Sequence, residues 1–327
     1  MKTLINMPEA RFSKFSAGLV PANMEIIVAP ADGNDDDLLT VGGDADFILT
    51  DPMLPISARL IQNMPNLKLI QTEAVGYNCI DMSAAKAKGV TVCNAKGINA
   101  QPVAEHALML MLGLLRNVLI GDHEVRAAHQ NEMKMKMFLD GMRELSDCTI
   151  GLIGFGDIAR ALARLLRGFD VRVLYFDQRR PDPDTEQELG AIYMEQETLL
   201  AESDIVSLHV PVLPSTKGMV NDHFLQRMKP GSYLINTARG ELVDQPALCR
   251  ALESGYLAGA GLDTLAPEPV TLDNPLLHLS PEAARHVIFS PHIAGVTSGS
   301  CRRGHQIAWD NINRFIHGEQ PNYIVSR

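Results

Sequence analysis

The chain has 327 residues, 46% hydrophobic and 21% charged, which excludes a disordered or collagen-like polypeptide. At about 150 residues per domain this length suggests two domains, with ample core to fold without disulfides or a metal. Lys and Arg number 29 against 39 Asp and Glu, a net charge of −10, so no nucleic-acid partner is expected.

The five cysteines are scattered, odd in number and never spaced C-x-x-C. That pattern predicts reduced thiols in the cytoplasm, with no disulfide framework and no metal site. No basic start precedes a long apolar run, so no signal peptide is expected. The most lipid-like stretch, 107–115, stops at Arg116, well short of the ~18 apolar residues a membrane span needs. A membrane partner is not expected either.

In chain order, apolar runs predict strands at 26–29, 46–49, 67–71 and 90–93. A long helical stretch from 101 to 128 follows, with a Met- and Lys-bearing segment at 131–142 read as packing or a surface loop. A second strand series lies at 149–153, 171–176, 205–209, 233–236, 258–262 and 287–289. Helical patterns separate most of these runs, for example at 82–88, 158–167, 245–254 and 298–317. Strands alternating with helices predict an α/β fold of two doubly wound parallel sheets, the second running from about 100 to 295.

Residues 149–159 read as an apolar strand followed by G-x-G-x-x-A and a helix start. Gly154 makes the tight turn, Gly156 admits a pyrophosphate to the backbone, and Ala159 keeps the helix close to the sheet. The helix start at Asp157 and Ile158 offers free N–H groups to phosphate, although Asp157 is an awkward acid there and is expected to point to solvent. Asp177 ends the next strand, 23 residues after Gly154, where a carboxylate takes the ribose hydroxyls and repels a 2′-phosphate. NAD is therefore favoured over NADP, with Arg179 and Arg180 arguing mildly the other way.

Three further strand ends carry Arg239, then Asp263 and Glu268, then His292. Open α/β sheets bind their ligands at such ends. Arginine grips a carboxylate bidentately, histidine shuttles a proton near neutral pH, and an acid beside it favours the imidazolium.

These segments resemble the D-isomer-specific 2-hydroxyacid dehydrogenase family, which includes 3-phosphoglycerate dehydrogenase, glyoxylate/hydroxypyruvate reductase and D-lactate dehydrogenase. The likeness runs from about Leu67 to Val325, through the segments at 75–81, 103–106, 203–211 and, most specifically, 228–244. It implies a Rossmann domain, 100–295, inserted into a discontinuous flavodoxin-like substrate domain of 1–99 plus 296–327, with the active site in the interdomain cleft. It implies an NAD(H)-dependent oxidoreductase interconverting a 2-oxoacid and a D-2-hydroxyacid, and a homodimer formed around the apolar stretch 105–119 and the segment after it. Arg239 would bind the substrate carboxylate and oxo group, His292 would donate the proton, and Glu268 would hold His292 protonated. Val75 and Gly76 would bind the substrate carboxylate through their backbone. Val103 would flank the nicotinamide and Asp263 would bind its carboxamide. His209, Val210, Pro211, Thr216, Thr237 and Ala238 would line the cofactor, with Arg239 and His292 beside it.

Some positions depart from the family pattern. Asn78 stands for the usual acid, Lys96 for a common proline, and Glu73 precedes the substrate turn. Glu73 is read either as facing the pocket, where it would repel a substrate phosphate, or as exposed. Val75 and Glu268 replace the lysine and glutamine of phosphite and formate dehydrogenases, and the end at Arg327 argues against a regulated phosphoglycerate enzyme. His106 is read as structural. The rival readings are an NAD(H)-binding corepressor and a Rossmann enzyme of other chemistry such as an epimerase.

Overall fold

The apolar runs form strands that pair in parallel, as expected of segments covered on both faces. The computed structural model describes every residue except Ala31 and Arg327. The chain divides into two units, Met1–Asn99 with Val296–Arg327, and Ala100–Gly295.

In the first unit β1 (Lys2–Asn6), α1 (Glu9–Ser16), β2 (Glu25–Val28), α2 (Asp35–Gly42), β3 (Phe47–Thr50), α3 (Ala58–Asn63), β4 (Leu69–Thr72), α4 (Met82–Lys88) and β5 (Thr91–Cys93) alternate. The sheet order is β2-β1-β3-β4-β5. β3 and β4 are buried along their whole length, which their unbroken apolar and small-polar sequences allow. Local signals set the helix ends: Asp81 caps α4 through Ala84 N, and Gly89 ends it in the left-handed region at φ +73°.

The second unit opens with α5 (Ala100–Leu115), α6 (Val118–Arg126) and α7 (Gln130–Asp140). Then follow β6 (Thr149–Ile153), α8 (Asp157–Leu166), β7 (Arg172–Phe176), α9 (Pro183–Leu189), β8 (Ala191–Tyr193), α10 (Gln196–Glu202) and β9 (Ile205–Leu208). The unit closes with α11 (Asp222–Arg227), β10 (Ser232–Asn236), α12 (Gln245–Glu253), β11 (Leu257–Leu262), α13 (Pro281–Ala284) and β12 (Val287–Phe289). Its sheet order is β12-β11-β10-β9-β6-β7-β8, reversing direction between β6 and β9. Leu110 and Leu114 of α5 with Leu162 and Leu166 of α8 cover one face, and Phe224, Leu248 and Leu252 cover the other. This is the doubly wound arrangement whose crevice opens at the carboxyl ends of the strands.

The chain then returns to the first unit as α14 (Ser298–Ile316). Trp309 and Ile312 pack there against Ile5, Phe47 and Leu49.

The structure departs from the sequence expectation in four places. β1 and the edge strand β8 are additional, being only five and three residues long. The helix expected over 101–128 is broken: Asn117 sits at φ +49°, and α5 and α6 meet at 58°. The 131–142 segment is helical over most of its length, yet α7 buries none of its residues. Among the described residues no single helix is long and apolar enough to cross a membrane; α5 and α6 pass only as a bent pair, and α5 is largely core.

One close approach fixes α14. A Cβ on Gly304 would lie 2.1 Å from the Glu73 carbonyl oxygen, a backbone atom that cannot swing aside. Gly304→Ala is therefore expected to cost about 1–3 kcal/mol through forced displacement, outweighing the helix-propensity gain of alanine. Denaturant unfolding measures this, and an unchanged midpoint would refute the close packing.

Candidate active site

The glycine-rich turn follows β6. Gly154 lies at φ +91°, and a Cβ there would meet the His209 carbonyl oxygen at 2.6 Å, so both conformation and space demand glycine. Gly156 forms the N-cap of α8 with no side-chain cap, and nothing stands within 4 Å of where its Cβ would be. The first N–H groups of α8 and the positive end of its dipole therefore meet an open face. Asp157 is exposed at the helix start, Ile158 is half-buried and Ala159 is fully buried against the sheet. Asp177 ends β7 and accepts Phe155 N at 2.6 Å and Arg179 N at 2.9 Å, which leaves lone pairs for a further donor. Arg180 is bound to Glu186 and lies over the Tyr193 ring at 4.6 Å.

At the end of β9, His209 and Val210 are half-buried and Pro211 is exposed. Thr216 ties their loop, donating to the Pro211 carbonyl at 2.7 Å and accepting from Leu213 N at 2.8 Å. His209 turns its Nε2 inward onto Ser207 Oγ at 2.9 Å, and burial pushes its imidazole down to about 4. Val103 on α5 is buried, Ala238 is half-buried, and the enclosed hydroxyl of Thr237 has no hydrogen-bond partner. The open cradle at Gly156, the uncapped helix and the orphaned Thr237 hydroxyl all fit a bound dinucleotide.

Registers set the next three strand ends side by side: Asn236 pairs with Leu262, and Leu262 with Phe289. Neighbouring strands lie about 4.8 Å apart, so the three ends span roughly 10 Å. Asn236 shapes the first loop, donating to the Arg239 carbonyl at 2.8 Å and accepting from Ala238 N at 3.0 Å. The Arg239 guanidinium donates to the Ala238 carbonyl at 2.7 Å and has no carboxylate partner among the described residues. A Cβ on Gly240 would fall 2.1 Å from the Leu265 carbonyl carbon, so the loops after β10 and β11 are in direct contact. Gln245 and Asn274 both donate to the Ala266 carbonyl, fixing the second loop two residues before Glu268. Glu268 Oε1 lies 2.5 Å from His292 Nδ1, with the two side chains about a third exposed. His292 Nε2 has no partner among the described residues.

His292 stands at φ +53°, an unusual conformation for a non-glycine residue. Asp263 holds it there. The Asp263 carbonyl accepts His292 N at 2.8 Å, and its carboxylate accepts Ile293 N at 3.0 Å and Ala294 N at 2.9 Å. Ser290 Oγ adds a fourth bond at 2.5 Å, and His106 Nε2 contacts Ser290 Oγ at 2.8 Å and Asp263 Oδ1 at 3.5 Å. The Asp263 side chain, expected at the nicotinamide carboxamide, is wholly enclosed in these contacts.

In the first unit the turn after β4 hides its carbonyls. Thr72 Oγ1 donates toward the Ala74 and Gly76 carbonyls at 2.9 Å, Asn94 Nδ2 donates to the Val75 carbonyl at 2.9 Å, and Ala95 N donates to that of Ala74. The N–H groups of Val75 and Gly76 have no acceptor among the described residues, the pattern of a backbone anion nest. Glu73 corrects the exposed reading: it is buried, in contact with Arg11 and His305.

The supporting residues Asn236, Gln245, Asn274 and Ser290 carry no motif that names them. Their one signal is a polar side chain at or just beyond an apolar strand end. Among the described residues no cluster of His, Cys, Asp or Glu could hold a metal ion.

His209 makes one consequence measurable. A histidine held neutral to about 4 contributes stability fully above its ordinary 6.5 and loses it as pH falls toward 4. The difference is on the order of 3 kcal/mol. His209→Asn is expected to flatten the acid limb of unfolding free energy between those values, and a limb parallel to wild type would contradict the burial effect.

Residues 108–294 match the family model described as "D-isomer specific 2-hydroxyacid dehydrogenase, NAD binding domain". The chain is 38% identical to a glyoxylate reductase of Korarchaeum cryptofilum over 280 residues, covering 86% of this chain and 81% of that one. It is 32% identical to a hydroxypyruvate reductase of Blautia hydrogenotrophica over 286 residues, covering 86% and 85%. The D-lactate dehydrogenase of Aquifex aeolicus, solved with NAD and lactic acid, superposes with a TM-score of 0.83 at 28% identity, covering 100% and 99%. The chain belongs to the D-isomer-specific 2-hydroxyacid dehydrogenase family and is an NAD-dependent D-2-hydroxyacid dehydrogenase.

Proposed function

We propose that the protein reduces a small 2-oxoacid of the glyoxylate or hydroxypyruvate kind to the D-2-hydroxyacid. The observation that carries this reading is the His292–Glu268 pair, set one and two strand ends beyond Arg239, which has no carboxylate partner among the described residues. The unit holding them is assigned to NAD and the unit of Met1–Asn99 with Val296–Arg327 to substrate.

NADH, when bound, supplies the hydride. Every other requirement falls to side chains of this chain. Arg239, uncommitted to any acid, binds the substrate carboxylate and polarises the 2-oxo group. His292 keeps Nδ1 on Glu268 and so presents Nε2, from which it delivers the proton to the carbonyl oxygen. Glu268 fixes the orientation of the ring through Nδ1. Together the guanidinium and the imidazolium stabilise negative charge developing on that oxygen. The unpartnered N–H groups of Val75 and Gly76 are assigned to the substrate carboxylate. Gly154, Gly156 and the start of α8 are assigned to the pyrophosphate, and Val103, His209, Val210, Pro211, Thr216, Thr237 and Ala238 to the lining of the cofactor site. Asp263 acts through the His292 loop it clamps.

NADH is preferred over NADPH, because Asp177 ends β7 with free lone pairs while Arg180 is committed to Glu186. Five free thiols fit the reducing cytoplasm. A second copy of the chain is the partner we assign to the exposed apolar side chains of α6 and α7, chiefly Val118, Leu119, Val125, Met135, Phe138 and Leu139.

Absorbance at 340 nm with glyoxylate or hydroxypyruvate tests the activity directly. His292→Ala is expected to lose on the order of 10²–10⁴ in kcat while NADH still binds. Glu268→Gln is expected to lower kcat about tenfold or more, since the carboxylate that holds Nδ1 of His292 is gone. Unchanged turnover in either variant removes that residue from its role. Light scattering is expected to give twice the 35.8 kDa chain mass, with Phe138→Asp shifting the protein toward one copy. A wild-type monomer would exclude the dimer.

A further inference from the structure

Two residues before Val75 stands an acid, Glu73, only 3% exposed. A carboxylate this enclosed requires compensation. His305 on α14, itself fully buried, places Nε2 2.6 Å from Glu73 Oε2. Its Nδ1 faces Ser16 Oγ at 2.7 Å, and Ser16 Oγ also accepts Trp309 Nε1–H at 2.9 Å. Ser16 Oγ and Glu73 Oε2 thus hold the two ring nitrogens. His305 gives Glu73 a hydrogen-bond partner, and a permanent charge is also at hand.

The charge comes from Arg11 on α1. Its Nη2 lies 2.7 Å from Glu73 Oε1, while its Nη1 pairs with Asp51. Oε1 accepts no aligned hydrogen bond, so the contact with Arg11 is held by Coulomb attraction. Arg11 is thus one cation shared between two acids, Asp51 after β3 and Glu73 after β4. The Glu73 backbone is fixed as well, with its N–H on the Thr50 carbonyl and its own carbonyl against Gly304. The acid therefore cannot retreat from the turn when its counter-charge is lost.

We propose that Arg11 is a positioning residue that neutralises Glu73, so that the adjoining N–H groups of Val75 and Gly76 can accept a carboxylate. The proposal rests on the assignment of that turn to the substrate carboxylate made above. Without Arg11, Glu73 loses its permanent counter-charge two residues from Val75 and repels a carboxylate entering the nest. Substrate affinity is weakened and the chemical step is left alone.

Arg11→Met keeps the aliphatic stem and removes the charge. It is expected to raise KM for glyoxylate about tenfold or more, with kcat within about twofold and NADH affinity by fluorescence unchanged. Adding Glu73→Gln removes the repelling charge and is expected to restore KM to within about threefold of wild type. A merely structural Arg11 predicts no such recovery. The proposal is overturned if Arg11→Met leaves KM within about twofold, or if the double variant is no better than the single. If Arg11→Met does not fold, Arg11→Lys carries the test: a retained cation is expected to keep KM near wild type, and a tenfold rise overturns the proposal. Calorimetry with oxamate, a carboxylate that is not reduced, separates two failures. A wild-type protein that binds oxamate but reduces nothing fails the functional reading, and the oxamate affinities of the same variants still decide the role of Arg11.

Discussion

The geometry of the His292 loop depends on a single enclosed carboxylate. Asp263 sits at the end of β11 and captures three consecutive backbone N–H groups, two with its side chain and one with its own carbonyl. A buried charge is tolerable only when donors surround it, and here the donors are the loop that carries His292. The two needs meet each other: the acid requires those amides, and the amides require the acid to hold His292 in its left-handed conformation. Ser290 and His106 complete the enclosure and tie the loop back to α5. With the backbone set, the His292 ring needs only Glu268 on one nitrogen to present the other.

The two units treat negative charge by different physical means. In the second unit an uncommitted guanidinium, Arg239, offers a full charge in a planar fork. In the first, a turn directs its carbonyls inward onto Thr72, Asn94 and Ala95, and among the described residues the N–H groups of Val75 and Gly76 have no acceptor. At the G-x-G-x-x-A turn the helix dipole and uncapped amides of α8 serve the same purpose. Partial charges on fixed backbone attract an anion without the entropy of ordering a long side chain.

Much of this was readable from residue order because local rules govern it. The turn at Gly154 is demanded by a positive φ and a close carbonyl, and the spacing to Asp177 follows from one strand–helix–strand unit. Arg239, Glu268 and His292 stood out as candidates because each follows an apolar run, and open α/β sheets bind ligands at those ends. The supporting residues were not. Nothing adjacent in sequence distinguishes the Asn236, Gln245 and Asn274 amides from those of solvated loops. β1 and β8 were not anticipated; β8 is a partly exposed edge strand, and β1 has polar residues at both ends of its apolar run.

Residue order alone was enough for the two-sheet α/β class, the glycine-rich turn after β6 and the three strand-end side chains proposed to bear the chemistry. These follow from periodicities and spacings that operate within some thirty residues. Tertiary structure alone decided the partners of Glu73, Asp263 and Arg180. Each is ionisable, and whether it is bare, solvated or neutralised depends on groups brought near by packing. Arg11 reaches Glu73 across 62 positions and His305 reaches it across 232, separations over which no pattern in the chain specifies contact.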